Sequence, residues 1–194
     1  MAIQWPVSIR PSEMTWGIVY NNRAFTSTLS NAQQVVGYPG AYWQCTLTFG
    51  VMTRQMEREL TAFLGRLQGM YGTVYLPAFT RRRGDNIGAP VVVTANAQAT
   101  TILLQGVTAS RKVFSMGDYI TINGEMFEVV DDAASTSGGR VQLNLNKRIR
   151  KAVPAGTAVE YRNPYSEMRR MDDTNQLNIQ RVVSSGSFQF REAF

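Results

Sequence analysis

Histidine is absent from this chain of 194 residues. Without an imidazole there is no histidine-based nucleophile triad, no histidine metal site and no histidine proton shuttle. Cysteine is nearly absent too. The single Cys45 excludes an intramolecular disulfide framework and any cysteine-cluster metal centre. No run approaches the roughly 18 consecutive apolar residues of a membrane-spanning helix. The opening residues Met1 to Arg10 include Trp5 and Pro6 and hold no apolar run of signal-peptide length, so folding in a cytoplasm is expected. Also missing are a glycine-rich phosphate loop ending in Lys-Ser or Lys-Thr and a G-x-S-x-G turn.

What is present describes a folded, basic protein. Apolar residues make up 44% and charged residues 18%, a balance too apolar for disorder. Twenty bases against 14 acids leave a formal charge of +6, so nucleic acid or an acidic surface enters as a candidate partner, beside an ordinary basic surface.

Along the chain the signals are mostly those of strands. Pro6 and Pro11 make residues 1 to 12 an extended arm or edge strand, since proline donates no backbone hydrogen bond. Met14–Tyr20 reads as a strand, Asn21-Asn22 as a turn and Phe25–Leu29 as the return. Pro39-Gly40 marks a loop. After it Trp43, Cys45, Leu47 and Phe49 alternate with Tyr42, Gln44, Thr46 and Thr48, which is a half-buried strand with Cys45 on its apolar side. Thr53 to Gln68 is a helix with Thr53 as N-cap and Gly69 as the left-handed residue after its end. Its apolar stripe is Met56, Leu60, Phe63, Leu64 and Leu67. Thr73–Phe79 is a further strand.

Composition shifts after Arg81-Arg82-Arg83-Gly84-Asp85. From Pro90 the chain is rich in Val, Thr, Ala and Gly, with short strands expected at 91–95, 101–105, 119–122, 126–130, 141–145 and 158–161. Asn123-Gly124 between two of these is a strong hairpin signal, and Ser135–Gly139 reads as a flexible loop. Such spacing suggests a small barrel or sandwich. Residues 163–194 return to the earlier style, with Asn163-Pro164 and Asp172–Asn175 as turns, a strand candidate at 167–171 and a final aromatic strand. The expected organisation is a discontinuous domain of residues 1–81 and 163–194, interrupted by an inserted domain of residues 82–162. The expected fold class is mainly β: a β-sandwich with one α-helix, and an inserted small β-barrel.

The search for chemistry nominates no catalytic, cofactor or metal residue. Asp131-Asp132 and Asp172-Asp173 read as turn formers, and Glu125 and Glu128 as hairpin residues facing water. Two basic clusters stand out, Arg81, Arg82 and Arg83, and Lys147, Arg148, Arg150 and Lys151. They suit peripheral contacts to an anionic partner or plain solvation.

The arrangement resembles the distal tail proteins of long-tailed, siphovirus-type bacteriophages. The residues that carry the likeness are Trp5-Pro6-Val7-Ser8-Ile9-Arg10-Pro11-Ser12 with Thr15-Trp16-Gly17, then Gly117-Asp118-Tyr119-Ile120 with Asn123-Gly124-Glu125, and the ending Glu192-Ala193-Phe194. The resemblance implies a structural virion protein of the tail tip, not an enzyme, without cofactor and without insertion into a membrane. It implies a homo-hexameric ring that joins the tail tube to hub or fibre proteins and leaves a channel through which genomic DNA passes without specific binding. The discontinuous domain would be the ring-forming belt and the inserted one an OB-like peripheral barrel. The arginine clusters are expected outside the channel. Trp5, Ile9, Trp16 and Phe194 are the candidate subunit-interface residues, with the arm of residues 1 to 12 lying on a neighbour, so that its removal should weaken assembly but spare the fold. Two alternatives stand beside this reading: a nucleic-acid-binding OB-type protein, and another ring-forming tail component, such as a tube or terminator protein.

Overall fold

The computed structural model describes residues 2–179 and 184–194. In chain order the elements are β1 (Ile3–Gln4), β2 (Glu13–Thr26), β3 (Gln33–Met52), α1 (Arg54–Leu67) and β4 (Thr73–Pro77). The middle of the chain supplies β5 (Gly88–Thr94), β6 (Thr101–Val107), β7 (Lys112–Phe114), β8 (Tyr119–Ile122), β9 (Glu125–Glu128), β10 (Ala133–Ala134), β11 (Arg140–Asn144) and β12 (Val159–Glu160). The last are β13 (Tyr165–Arg170), β14 (Asn178–Ile179) and β15 (Ser184–Glu192). The protein is mainly β with one helix.

The first and last parts of the chain build one sheet of seven strands, ordered β1-β4-β13-β15-β3-β2, with β14 added beside β15. Its core face follows from alternation. Trp43, Cys45, Leu47 and Phe49 of β3, Val74 and Leu76 of β4, Met168 of β13, and Phe188 and Phe190 of β15 are buried, and α1 lays Leu60, Phe63, Leu64 and Leu67 against them. The helix begins where expected. The Thr53 hydroxyl accepts from the Met56 amide at 3.3 Å, which satisfies one of the orphan donors of the first turn. It ends one residue earlier than expected, with Gln68 as the left-handed cap and Gly69 also at positive φ.

The middle segment has its own core, in which Val92, Ile102, Leu104, Phe114, Ile120, Phe127 and Leu143 are buried. Its strands fall into three small sheets, β11-β6-β5, β12-β8-β9 and β10-β7, and none is closed into a barrel by its ladders. Single bridges at Val91–Ala158 and Val129–Leu145 connect the two larger ones. Asn123 and Gly124 both take positive φ, as a two-residue hairpin turn requires, and β8 pairs with β9 around them. Gly88 and Gly106 face each other where β5 and β6 shift register. A Cβ on either would lie within about 2.5 Å of a backbone oxygen of the other strand.

Several local expectations change. Asn21-Asn22 is not a turn. The strand runs straight through it, with Asn21 opposite Tyr38 and Asn22 opposite Gly37. Pro39-Gly40 is likewise inside β3, at a register shift rather than in a loop. From Gly40 back to Gln33, among the described residues, only β2 pairs with β3, so a residue without an N–H is tolerated there. Ser135–Gly139 is not a free loop. The Ser135 side chain is buried and donates to the Thr108 carbonyl. β7 and β10 are each too short to show alternation in the sequence.

Candidate assembly surface

β3 is paired on both sides, with β15 and β2, only from Gln44 to Thr48. Past that point β2 and β3 continue as a two-stranded hairpin whose register runs out to Thr26 opposite Gln33. Its tip is tightly built: the Ser27 amide donates to the Ala32 carbonyl, and the Ser27 hydroxyl accepts from the Leu29 and Ser30 amides. Both faces of the hairpin are open. Phe25, Val35 and Tyr38 are exposed and Leu29 is 98% exposed. Arg23 is the one charged residue from Tyr20 to Gly40. At the base, the Tyr20 hydroxyl donates to the Asn146 carbonyl at 3.3 Å, tying the hairpin to the middle segment.

The N-terminal arm does the opposite of what was expected. Trp5 and Ile9 are buried in this chain's own core, so they are not free to meet a neighbour. Trp5 packs edge-on against Phe63 at 5.1 Å and Phe190 at 6.2 Å and stacks near Phe49, while its ring N–H donates to the Ile9 carbonyl at 2.7 Å. An indole this apolar, with its one polar atom satisfied locally, is more stable inside the core than on an edge. Trp16 is half-buried and stands edge-on to Trp43 at 6.0 Å. Phe194 is exposed, sandwiched by the guanidinium of Arg150 at 4.0 Å and that of Arg191 at 5.5 Å.

The basic clusters divide. Lys147 is not peripheral. Its side chain is 1% exposed and its ammonium lies 2.6 Å from Glu192 and 3.1 Å from Glu125. Burial pushes it below the ordinary lysine value, against the pull of those two carboxylates. Arg150 joins the same group at 2.7 Å from Glu192, and the Trp43 amide donates to Glu192 as well. Two cations and two carboxylates thus gather between the middle segment and β15, with Glu125 Oε1 and Arg150 Nε buried but without a hydrogen bond. Glu125 consequently does not face water, contrary to expectation. Arg83 is engaged too, at 2.6 Å from Asp85 and 2.7 Å from Asp118, and its hydrogen bond holds Asp85 below the usual carboxylate value. Arg81, Arg82, Arg148 and Lys151 remain exposed. Arg81 lies over the Tyr119 ring and Arg82 over Phe79.

Two signals for buried ions lie in the sequence. Glu192 has the same parity as Phe188 and Phe190, and Arg170 the same parity as Met168, so period two already placed both on the core side. Arg170 is buried over Phe188 and bonded to Asn175, Asp172 and the Thr174 carbonyl. Burial pushes the Cys45 thiol well up, so it remains a neutral core side chain.

Among the described residues no helix is long and apolar enough to cross a membrane, and no three acidic or cysteine side chains gather as metal ligands. Compared with known proteins, the chain matches no family model and no curated sequence.

Proposed function

We propose that this chain is a structural, ring-forming protein of a phage tail tip, of the distal-tail-protein kind. The observation that carries the proposal is the hairpin that leaves the sheet between Tyr20 and Gly40, tied at its base by Tyr20 and bare on both faces from Arg23 to Val36. A two-stranded hairpin alone in water is marginal, and long open edges invite pairing. An apolar, nearly uncharged hairpin held out from a well-packed body is what a subunit contact needs, and repeated head-to-tail contacts close into a ring. The subunit contact therefore moves from Trp5 and Ile9 to Phe25, Leu29, Val35 and Tyr38.

In this reading residues 1–81 and 163–194 are the belt, a sandwich whose second layer is α1 with the N-terminal segment. Residues 82–162 are the peripheral unit. Its strands follow the cyclic order β9-β8-β12-β5-β6-β11 and return to β9, with the two single bridges at the seams, an order that suits a small OB-like barrel. The tail tube and the hub or fibre proteins are the proposed neighbours, and DNA passes through the channel without specific contacts. The nucleic-acid alternative draws less support, since Lys147, Arg83 and Arg150 already have carboxylate partners.

Negative-stain imaging of the purified protein over a range of concentrations tests the proposal. Six-fold rings with an open centre are expected for the wild type, and Phe25→Ser/Leu29→Ser should abolish them while leaving circular dichroism unchanged. Rings that persist in the variant would remove the hairpin from the contact. Single-strand binding that falls steeply with salt, with no rings, would favour the nucleic-acid alternative.

A further inference from the structure

The seven-stranded sheet has a second face, turned away from α1, on which Thr15, Gln44, Thr46, Ser187 and Gln189 are half-buried or exposed. One row across this face departs from the rest. Arg169 of β13 lies directly opposite Arg191 of β15, and Arg191 directly opposite Gln44 of β3. Cβ atoms of such a pair stand roughly 5 Å apart, and like charges placed opposite one another destabilise a sheet. Among the described residues no carboxylate pairs directly with either arginine. All 14 acidic residues lie within the described residues, and none is within 4.0 Å of either guanidinium. Arg191 is held in place by stacking, 4.6 Å from the Tyr42 ring centre and 5.5 Å from that of Phe194. A cleft of about 490 Å³ opens beside the pair, lined by Met70, Arg169, Met171, Arg191 and Phe194 among others. The two methionines and the phenylalanine are exposed.

We propose that Arg169 and Arg191 form the anchor of a docking site for a partner protein, which seats a carboxylate side chain between the two guanidiniums and an apolar side chain in the cleft. Paired guanidiniums match the two oxygens of one carboxylate, and its charge relieves the repulsion that the free protein carries. The surroundings favour a protein over a nucleic acid. A phosphate backbone needs cations repeated along its track, whereas here Glu167, two residues before Arg169, and Glu13 lie on the same face. Flexible methionines at the rim suit an adaptable apolar contact. The inference concerns the sheet face and not the hairpin, so it is independent of the ring reading.

The probe is a blocked hexapeptide, Gly-Phe-Glu-Asp-Leu-Gly, titrated at low salt while the arginine side-chain NMR signals are followed. The signals of Arg169 and Arg191 should shift together. Arg169→Gln/Arg191→Gln should weaken binding at least tenfold, and Arg66→Gln on the exposed side of α1 should leave it unchanged. A peptide carrying Gln and Asn in place of its acids should bind neither form. The double variant should melt close to the wild type, because the relieved repulsion offsets the lost stacking of Arg191 on Tyr42 and Phe194. The proposal fails if the two signals do not move, if the double variant binds the peptide as the wild type does, or if a short thymidine oligonucleotide shifts the same two signals at lower concentration than the peptide.

Discussion

Single residues decide where this chain keeps its charge and its aromatic surface. Trp5 joins an extended N-terminal segment to the core, so Trp5→Ala should cost about 3–5 kcal/mol, read by urea denaturation. Glu192 is the other decisive residue. Glu192→Gln leaves the buried Lys147 ammonium with Glu125 alone and should destabilise by about 3–5 kcal/mol, whereas Lys147→Met/Glu192→Leu should recover part of that loss, because the buried pair no longer has to be desolvated as ions although Arg150 and the Trp43 amide still lose Glu192. A double-mutant cycle by denaturation checks both values. Asp85 is a milder case, with a side chain 48% exposed. Its carboxyl is held below the ordinary value of 3.8 by Arg83. Folding therefore gains from it fully above that value and loses the gain as pH falls through the lowered one. Solvent screening keeps the contribution under about 1 kcal/mol. Asp85→Asn should lower stability at neutral pH by that same fraction of a kcal/mol and flatten the acid limb of the stability–pH curve, the difference from wild type vanishing below the lowered value.

Elements show where local rules were enough. The helix was legible because three independent signals agreed: the Thr53 cap, the apolar stripe and the glycine after its end. Thr53→Ala should cost about 1 kcal/mol. The Asn123-Gly124 hairpin was legible because few residue pairs accept two positive φ values in succession. The long hairpin was not. Asn21-Asn22 and Pro39-Gly40 have turn chemistry, yet in the structure both lie in strands, with the turn at Ser27–Ala32 instead. Pairing over the whole length of β2 and β3 outweighs the weak local preference for a turn. Replacing residues 23–36 by Asn-Gly should leave the melting temperature nearly unchanged, because that stretch buries nothing in either core, and should abolish any self-association seen by analytical ultracentrifugation. A large drop in melting temperature would mean that the hairpin supports the body.

At the scale of the whole molecule the two parts are less separable than the composition break suggests. Tyr119 and Met126 belong by sequence to the middle segment, yet they are buried in the core of the seven-stranded sheet. The Trp43 ring N–H donates to the Met126 carbonyl at 2.8 Å, and the Thr121 hydroxyl donates to the Tyr165 carbonyl. With the Lys147–Glu192 ion group, these contacts make the junction a hydrogen-bonded seam. Cutting out residues 82–162 and joining the ends with a short Gly/Ser linker should therefore not release a stable belt. The product should lose its sharp thermal transition and bind a hydrophobic dye. A shortened chain that melts like the wild type would show that the two parts are energetically independent. Removing residues 1–12 should likewise lower the melting temperature sharply, since it takes Trp5 and Ile9 out of the core.

The sequence by itself determined the β-rich class, the helix with its cap, the Asn-Gly hairpin, the alternating face of β3 and the absence of imidazole chemistry. These depend on neighbours a few residues apart, and their physics is local: periodicity, turn conformations and side-chain inventory. Only the tertiary structure decided that Trp5 and Ile9 lie inside, that Lys147 is buried against Glu192 and Glu125, that Arg169 faces Arg191, and that β2 and β3 outrun the sheet. Each of these depends on which strands lie side by side, residues far apart in the chain, and a charge or an indole takes its role from what faces it across that distance.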